Sequence, residues 1–196
     1  MKKRTRVWAK VLLLSLLAAV AVGPMLYTFV NSFSGSASYG LFPAEWSLQG
    51  WKEVFWNRPH YLAKFWNSLG ISAAIVVGQV LLSCLAGYGF SKFRFRGKEP
   101  LFFLLILMMM MPYQVTLVSN YLMLDKLGLV GSQWSLILPA AFSPFGVFLL
   151  RQVFDTCPNE ILEAARLDGA GNLRILFRIL VPRCRAGVIS LGILSF

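Results

Sequence analysis

Residues 11–30 read VLLLSLLAAVAVGPMLYTFV, an apolar run without one charged side chain. At about 1.5 Å of rise per residue, a helix of that length crosses the hydrocarbon core of a bilayer. The pattern then repeats. Charge-free apolar stretches occupy 69–90, 100–118 and 134–150, and a further one opens at 186–196. In lipid every backbone N–H and C=O must be satisfied within the segment, so such runs are helices. The chain is therefore expected to be an all-α membrane protein, a single transmembrane domain with four complete spans and the start of a fifth. The stretch 186–196 is too short to cross, so the chain is expected to stop in mid-span. Ala19-Val20-Ala21 could end a cleaved leader, but the apolar run continues to Val30, which favours an uncleaved anchor.

Charge placement orients the spans. Taking the N-terminus as cytoplasmic, all but four of the 19 Lys and Arg residues fall on the inner side, the four being Lys52, Arg58, Lys64 and Lys126. That asymmetry obeys the positive-inside rule with every span counted. The formal charge of +11 invites a nucleic-acid reading, but the basic residues sit between apolar runs and form no stripe interleaved with aromatics. Nucleic acid is therefore not an expected partner, whereas membrane lipid is. Trp46, Trp51, Trp56 and Trp66 mark the loop 31–64 as interfacial. Cys84, Cys157 and Cys184 lack metal-ligand spacing and read as reduced thiols, and a solitary His60 adds no metal site.

The spans differ internally. The second carries Gly70, Ala74, Gly78, Ser83 and Gly87 at four- and five-residue steps, which lets helix backbones approach closely. The third contains Pro112, and the fourth contains Pro139 and Pro144. Proline removes a donor, and the resulting break must be satisfied by a neighbour or a wet cavity. Gln79, Gln114 and Ser143 lie near those breaks and are the candidate translocation-path residues, with interhelical hydrogen bonding as the more ordinary role. No span holds Asp, Glu, Lys or Arg, so an ion-coupled transporter is not indicated and the energy must come from elsewhere.

Between the fourth and fifth runs lies a polar segment, 154–182. Pro158 can occupy the first turn of a helix with Glu160 and Glu163 near its positive end. Asp168-Gly169 stops that helix. Asn172 can cap a second one, with Leu173, Leu176, Phe177 and Leu180 as its apolar face and Arg174 and Arg178 as its basic face, ended by Pro182. Ala164 and Ala165 leave room for a partner surface. The residues alone fit partner docking and a helix lying on lipid headgroups equally well. No GxxxxGK[ST], GxSxG or HExxH occurs, so neither ATP chemistry nor a hydrolase site is expected in this chain.

EAARLDGAG at 163–171, followed by ILVP at 179–182, resembles the EAA loop of bacterial ABC importer permeases. NSL at 67–69, AGYGFSKFRFRG at 86–97, LILP at 136–139 and FGVFLLRQ at 145–152 are similar to the carbohydrate, maltose-type branch. Val181 stands where that family usually has leucine. The resemblance implies a six-helix fold and a non-catalytic subunit of a bacterial inner membrane that is multi-pass with its N-terminus inside. It implies a sugar or oligosaccharide cargo. The implied partners are a second permease, two ATP-binding-cassette ATPases that bind the ATP and Mg, and an extracellular solute-binding protein. Glu163, Ala164, Ala165, Asp168, Gly169 and Pro182 would then form the ATPase-docking loop. The alternative implied by the short fifth run is a membrane protein that keeps the docking loop and transports nothing.

Overall fold

Helix is the dominant regular structure because in lipid a helix satisfies every backbone N–H and C=O of a charge-free run within that run. The computed structural model describes residues 2–35, 40, 42, 43 and 45–196, so part of the loop 31–64 lies outside the described residues. Among the described residues the only β pairing is one isolated bridge between Ser34 and Trp46. The chain forms two compact units, 1–66 and 67–196.

The first unit begins with α1 (Lys2–Asn31), which passes through Pro24. Thr28 Oγ1 donates to the Pro24 carbonyl at 2.8 Å, a bond a membrane helix can use near a proline. Leu12, Val20 and Met25 are exposed, as the side chains of a lipid-facing helix must be. A short helix α2 (Gln49–Lys52) continues into a π-helical turn over Glu53–Asn57. There Trp51 stacks on Phe55 at 5.8 Å between centroids, and Phe33 leans on Trp51 at 5.9 Å. Trp51 and Phe55 border an apolar cavity of about 600 Å³ with Tyr61, Phe65 and Trp66.

The long helix α3 (Pro59–Lys92) contains the second apolar run, which lies within the second unit. The third run is not one straight helix. It divides into α4 (Lys98–Met110) and α5 (Tyr113–Lys126), bent by 103°. The cause is local: Met111 precedes Pro112, whose ring disfavours the helical conformation for the residue before it, and Met111 is extended at φ −71°, ψ 126°. The fourth run divides in the same way into α6 (Trp134–Ala140) and α7 (Pro144–Asp155), with Ser143 extended before Pro144. Three helical stretches are long and apolar enough to cross a membrane, namely Lys10–Asn31, Pro59–Lys92 and Trp134–Asp155. The α4–α5 pair makes a fourth if counted as one.

Helices α3 and α7 pack closely because the small residues meet. A Cβ on Gly87 would lie 3.1 Å from both the Arg151 nitrogen and Leu150 Cβ, and one on Gly78 would lie 2.9 Å from Ala141 Cβ. Gly146 faces Ser83, again with no room for a methyl group. Arg151 ties α4 to this pair: its guanidinium lies 3.8 Å from the Phe102 ring centroid and 3.3 Å from Glu99 Oε1. Beyond α7 the chain forms α8 (Asn159–Leu167) and α9 (Asn172–Ile175), then a π-helical turn over Leu176–Leu180, α10 (Val181–Arg183) and α11 (Arg185–Ser195).

Candidate functional site

The segment 154–182 is held by its own apolar residues. Leu162 and Ala165 of α8 are buried with Phe154, Ile175, Leu176 and Leu180, in a cluster that also takes in Cys84 and Tyr88 of α3 and Leu191 of α11. This anchors the inner face of α8. Its outer face presents Glu160, Glu163, Ala164 and Leu167, spaced i, i+3, i+4, i+7 and all exposed. Leu167 is 90% exposed, an unusual state for leucine in a helix packed on a core.

The two alanines therefore differ. Ala164 lies on the outer face, but Ala165 turns inward and is 9% exposed, because one step along a helix rotates by about 100°. Asp168 ends α8, and Gly169 follows at φ +80°, the left-handed conformation that closes a helix. The nitrogen of Ala170 donates to the Ala165 carbonyl at 2.9 Å across this turn.

Several local expectations are corrected. Pro158 stands just before α8 with an extended ψ of 137°, outside its first turn. Asn172 is the first residue of α9 and makes no side-chain cap; Gly171 precedes it. The buried face of the second helical piece is Ile175, Leu176 and Leu180, while Leu173 is 64% and Phe177 41% exposed. Pro182 does not end the helix. It sits in α10 directly after the π-helical turn, where the Val181 nitrogen donates to the Leu176 carbonyl five residues back. A wider turn ahead of a residue with no N–H keeps the chain helical, and the break falls at Cys184 instead.

The joint between α7 and α8 is pinned from α3. Lys92 Nζ donates to the Cys157 carbonyl at 2.7 Å and to Asn159 Oδ1 at 2.9 Å, and Ser91 Oγ donates to Asp155 Oδ1 at 2.6 Å. Lys92 also borders a polar cavity of about 660 Å³ with Arg94, Glu163, Arg166 and Asn172. Burial, and then the neighbouring Cys157, raise the Cys184 thiol above its ordinary pKa, which suits an inert thiol.

The three polar residues near the breaks separate in role. Gln79 Nε2 donates to the Ala140 carbonyl at 2.6 Å, satisfying a group freed by the α6–α7 break. Ser143 Oγ accepts from the Gly146 nitrogen at 3.1 Å as the cap of α7. Gln114 is exposed on the first turn of α5. None of the three borders the cavity of about 690 Å³ that opens where α4, α5, α6 and α7 converge. Its polar lining comes from Tyr113, Thr116, Asn120, Tyr121 and Ser135. Tyr113, Thr116 and Asn120 follow a three- and four-residue spacing, which was the signal available in the sequence; Gln114 is one step off that face.

Residues 79–196 match the family described as the binding-protein-dependent transport system inner membrane component. The chain is 35% identical, over 87% of its length and 63% of the relative's, to the maltodextrin transport system permease protein MdxG of Bacillus subtilis. It is 30% identical, over 96% of its length and 70% of the relative's, to the arabinooligosaccharides transport system permease protein AraQ of Halalkalibacterium halodurans. It is 29% identical, over 94% of its length and 70% of the relative's, to the sn-glycerol-3-phosphate transport system permease protein UgpE of Brucella abortus. The fold matches a chain from the crystal structure of a bacterial ABC transporter that imports the acidic polysaccharide alginate. The TM-score is 0.90 at 22% identity, over 100% of this chain and 70% of that one. The chain thus spans about 63% to 70% of the length of these relatives.

Proposed function

Because the chain belongs to the family of binding-protein-dependent transport system inner membrane components, we propose that it is the permease subunit of an ATP-driven sugar or oligosaccharide importer. The observation that carries this reading is α8. One face of it is built into the core with α3, α7 and α11, and the other presents Glu160, Glu163, Ala164 and Leu167 outward. A helix rooted on one side and bare on the other can pass the motion of a docked partner to the spans. The partner is an ATP-binding-cassette ATPase, two copies of which bind the ATP and Mg. The chain itself performs no chemical step. A second permease and an extracellular solute-binding protein complete the assembly. The positive-inside count supports a cytoplasmic side for α8 and the N-terminus, where ATP is.

The cavity between α4 and α7 supports an uncharged solute. Its described lining contains no Lys, Arg, His, Asp or Glu, and offers neutral hydroxyl and amide groups beside Tyr113 and Tyr121. Neutral hydrogen-bonding groups and aromatic faces suit a polyhydroxylated ring better than a phosphate, for which arginine would be expected. The test is co-expression with a second permease, ATPase subunits and a binding protein. It measures ATPase capture and uptake of labelled maltodextrin against labelled glycerol 3-phosphate. Capture with maltodextrin-stimulated ATPase and uptake is the expected result. Capture without uptake of any solute would leave a docking protein that transports nothing, and absence of capture would overturn the coupling role of α8.

A further inference from the structure

The contacts between α3 and the stretch 141–155, which includes α7, keep a nearly constant offset along the chain. Gly78 meets Ala141, Ser83 meets Gly146, Gly87 meets Leu150 and Arg151, and Ser91 bonds Asp155. Both numbers rise together, so the two stretches run parallel and in register. Helix α3 is continuous where the neighbouring stretch is broken at 141–143, and Gln79 bonds the Ala140 carbonyl at that break. Helix α3 therefore splints the broken stretch over about 20 Å, from Gln79 to Lys92.

At the far end of this pair, residues 156–158 form a non-helical joint between α7 and α8. A joint of three residues is a natural hinge, because it can absorb a change in dihedral angles and turn one helix against the other without deforming either. Lys92 spans it. Its ammonium donates to the Cys157 carbonyl inside the joint and to the Asn159 side chain at the first residue of α8. An ammonium suits this place, since the carbonyls closing α7 form the negative end of a helix dipole. Asn159 lies 67 positions along the chain from Lys92, so the bond ties α8 to a separate span.

We infer that Lys92 is a positioning residue that locks this joint, so that α8, α7 and α3 move as one lever when an ATPase pulls on α8. Without it, α8 swings about 156–158 and the motion is lost before it reaches the break beside the large cavity. The inference rests on the proposed coupling role of α8 and concerns how that motion is transmitted.

The test measures solute taken up per ATP hydrolysed, in the assembled transporter, for the parent and for Lys92→Met, Lys92→Arg and Asn159→Ala. Lys92→Met should lower this ratio by about tenfold, within the range that a lost coupling contact spans. Lys92→Arg, which keeps charged donors, should recover most of it. A parental ratio in Lys92→Met overturns the inference. So does loss of ATPase capture in Lys92→Met, which would place the residue in the docking surface. Failure of Lys92→Arg to recover the ratio also overturns it. If Lys92→Met does not accumulate in the membrane, Asn159→Ala decides, because it removes one of the two bonds and leaves the lysine; an unchanged ratio there counts against the lock. A parent that captures ATPase but takes up no solute overturns the proposed function itself, and this inference falls with it.

Discussion

Leu167 is the last residue of α8 and is 90% exposed, between Arg166 and Asp168. Burying a leucine side chain in a partner's cleft stabilises a complex by about 1.5–3 kcal/mol. Leu167→Asp removes that gain and brings in a charge, so affinity for the ATPase should fall at least about tenfold. Membrane insertion should be unaffected, since no span is touched. Titration of purified ATPase against the variant in nanodiscs reads this directly, and equal affinity would show that the outer stripe of α8 is not the contact. Gly169 makes a different argument. A side chain there would meet open space, so Gly169→Val introduces no clash, only a left-handed backbone that a β-branched residue resists. The strain is about 1–3 kcal/mol, and it should shift the exit of α8 and weaken ATPase capture several-fold. Gly169→Asn, which tolerates that conformation better, should lose less. The same titration ranks the three proteins.

At the scale of elements, the α3–α7 contact is set by missing side chains. Gly87→Leu must push against Leu150 and the Arg151 backbone, and overpacking of this kind costs about 1–3 kcal/mol. The melting temperature of the detergent-solubilised chain should drop by about 5 °C, whereas Gly70→Ala, with nothing within 4 Å, should leave it unchanged. A thermal scan of both variants checks the pair. The helices covering 11–30 and 69–90 were legible because long charge-free runs leave a backbone in lipid no other choice. The breaks were legible as prolines, but not their size. Pro112 gives a bend of 103°, and the angle depends on what packs beside the break. The site was legible in part. The glycine turn at Gly169 follows from local chemistry, whereas the inward turn of Ala165 and the bond from Lys92 to Asn159 depend on which helix lies next to α8. Hydrophobic periodicity also misassigned Leu173 and Phe177; Phe177 lies in the π-helical turn over Leu176–Leu180, where the number of residues per turn changes, whereas Leu173 lies before it and depends on what α9 packs against.

For the whole molecule, the lever and the docking stripe have meaning only if they lie on the side where ATP is, and the charge distribution argues that they do. Lys92 ends α3, Arg94 and Arg96 follow it and Lys98 opens α4, while Arg151 precedes α8, Arg166 lies in it and Arg174, Arg178, Arg183 and Arg185 follow it. Lys126 instead ends α5, in the stretch between the two proline-broken runs. Cytoplasmic loops carry the excess of Lys and Arg, so the first two groups should face inward and Lys126 outward. This can be measured with single cysteines in a chain whose Cys84, Cys157 and Cys184 have been replaced by alanine or serine. A membrane-impermeant maleimide added to intact cells should label Lys126→Cys and spare Glu160→Cys. Glu160 is exposed, so burial within the chain would not explain its protection. Opening the inner membrane should then make Glu160→Cys reactive. The opposite pattern would invert the topology and place the outer stripe of α8 out of reach of any ATPase. Labelling of both positions in intact cells would show that the chain does not cross the membrane between them, and that the broken α6–α7 stretch returns to the side from which it came.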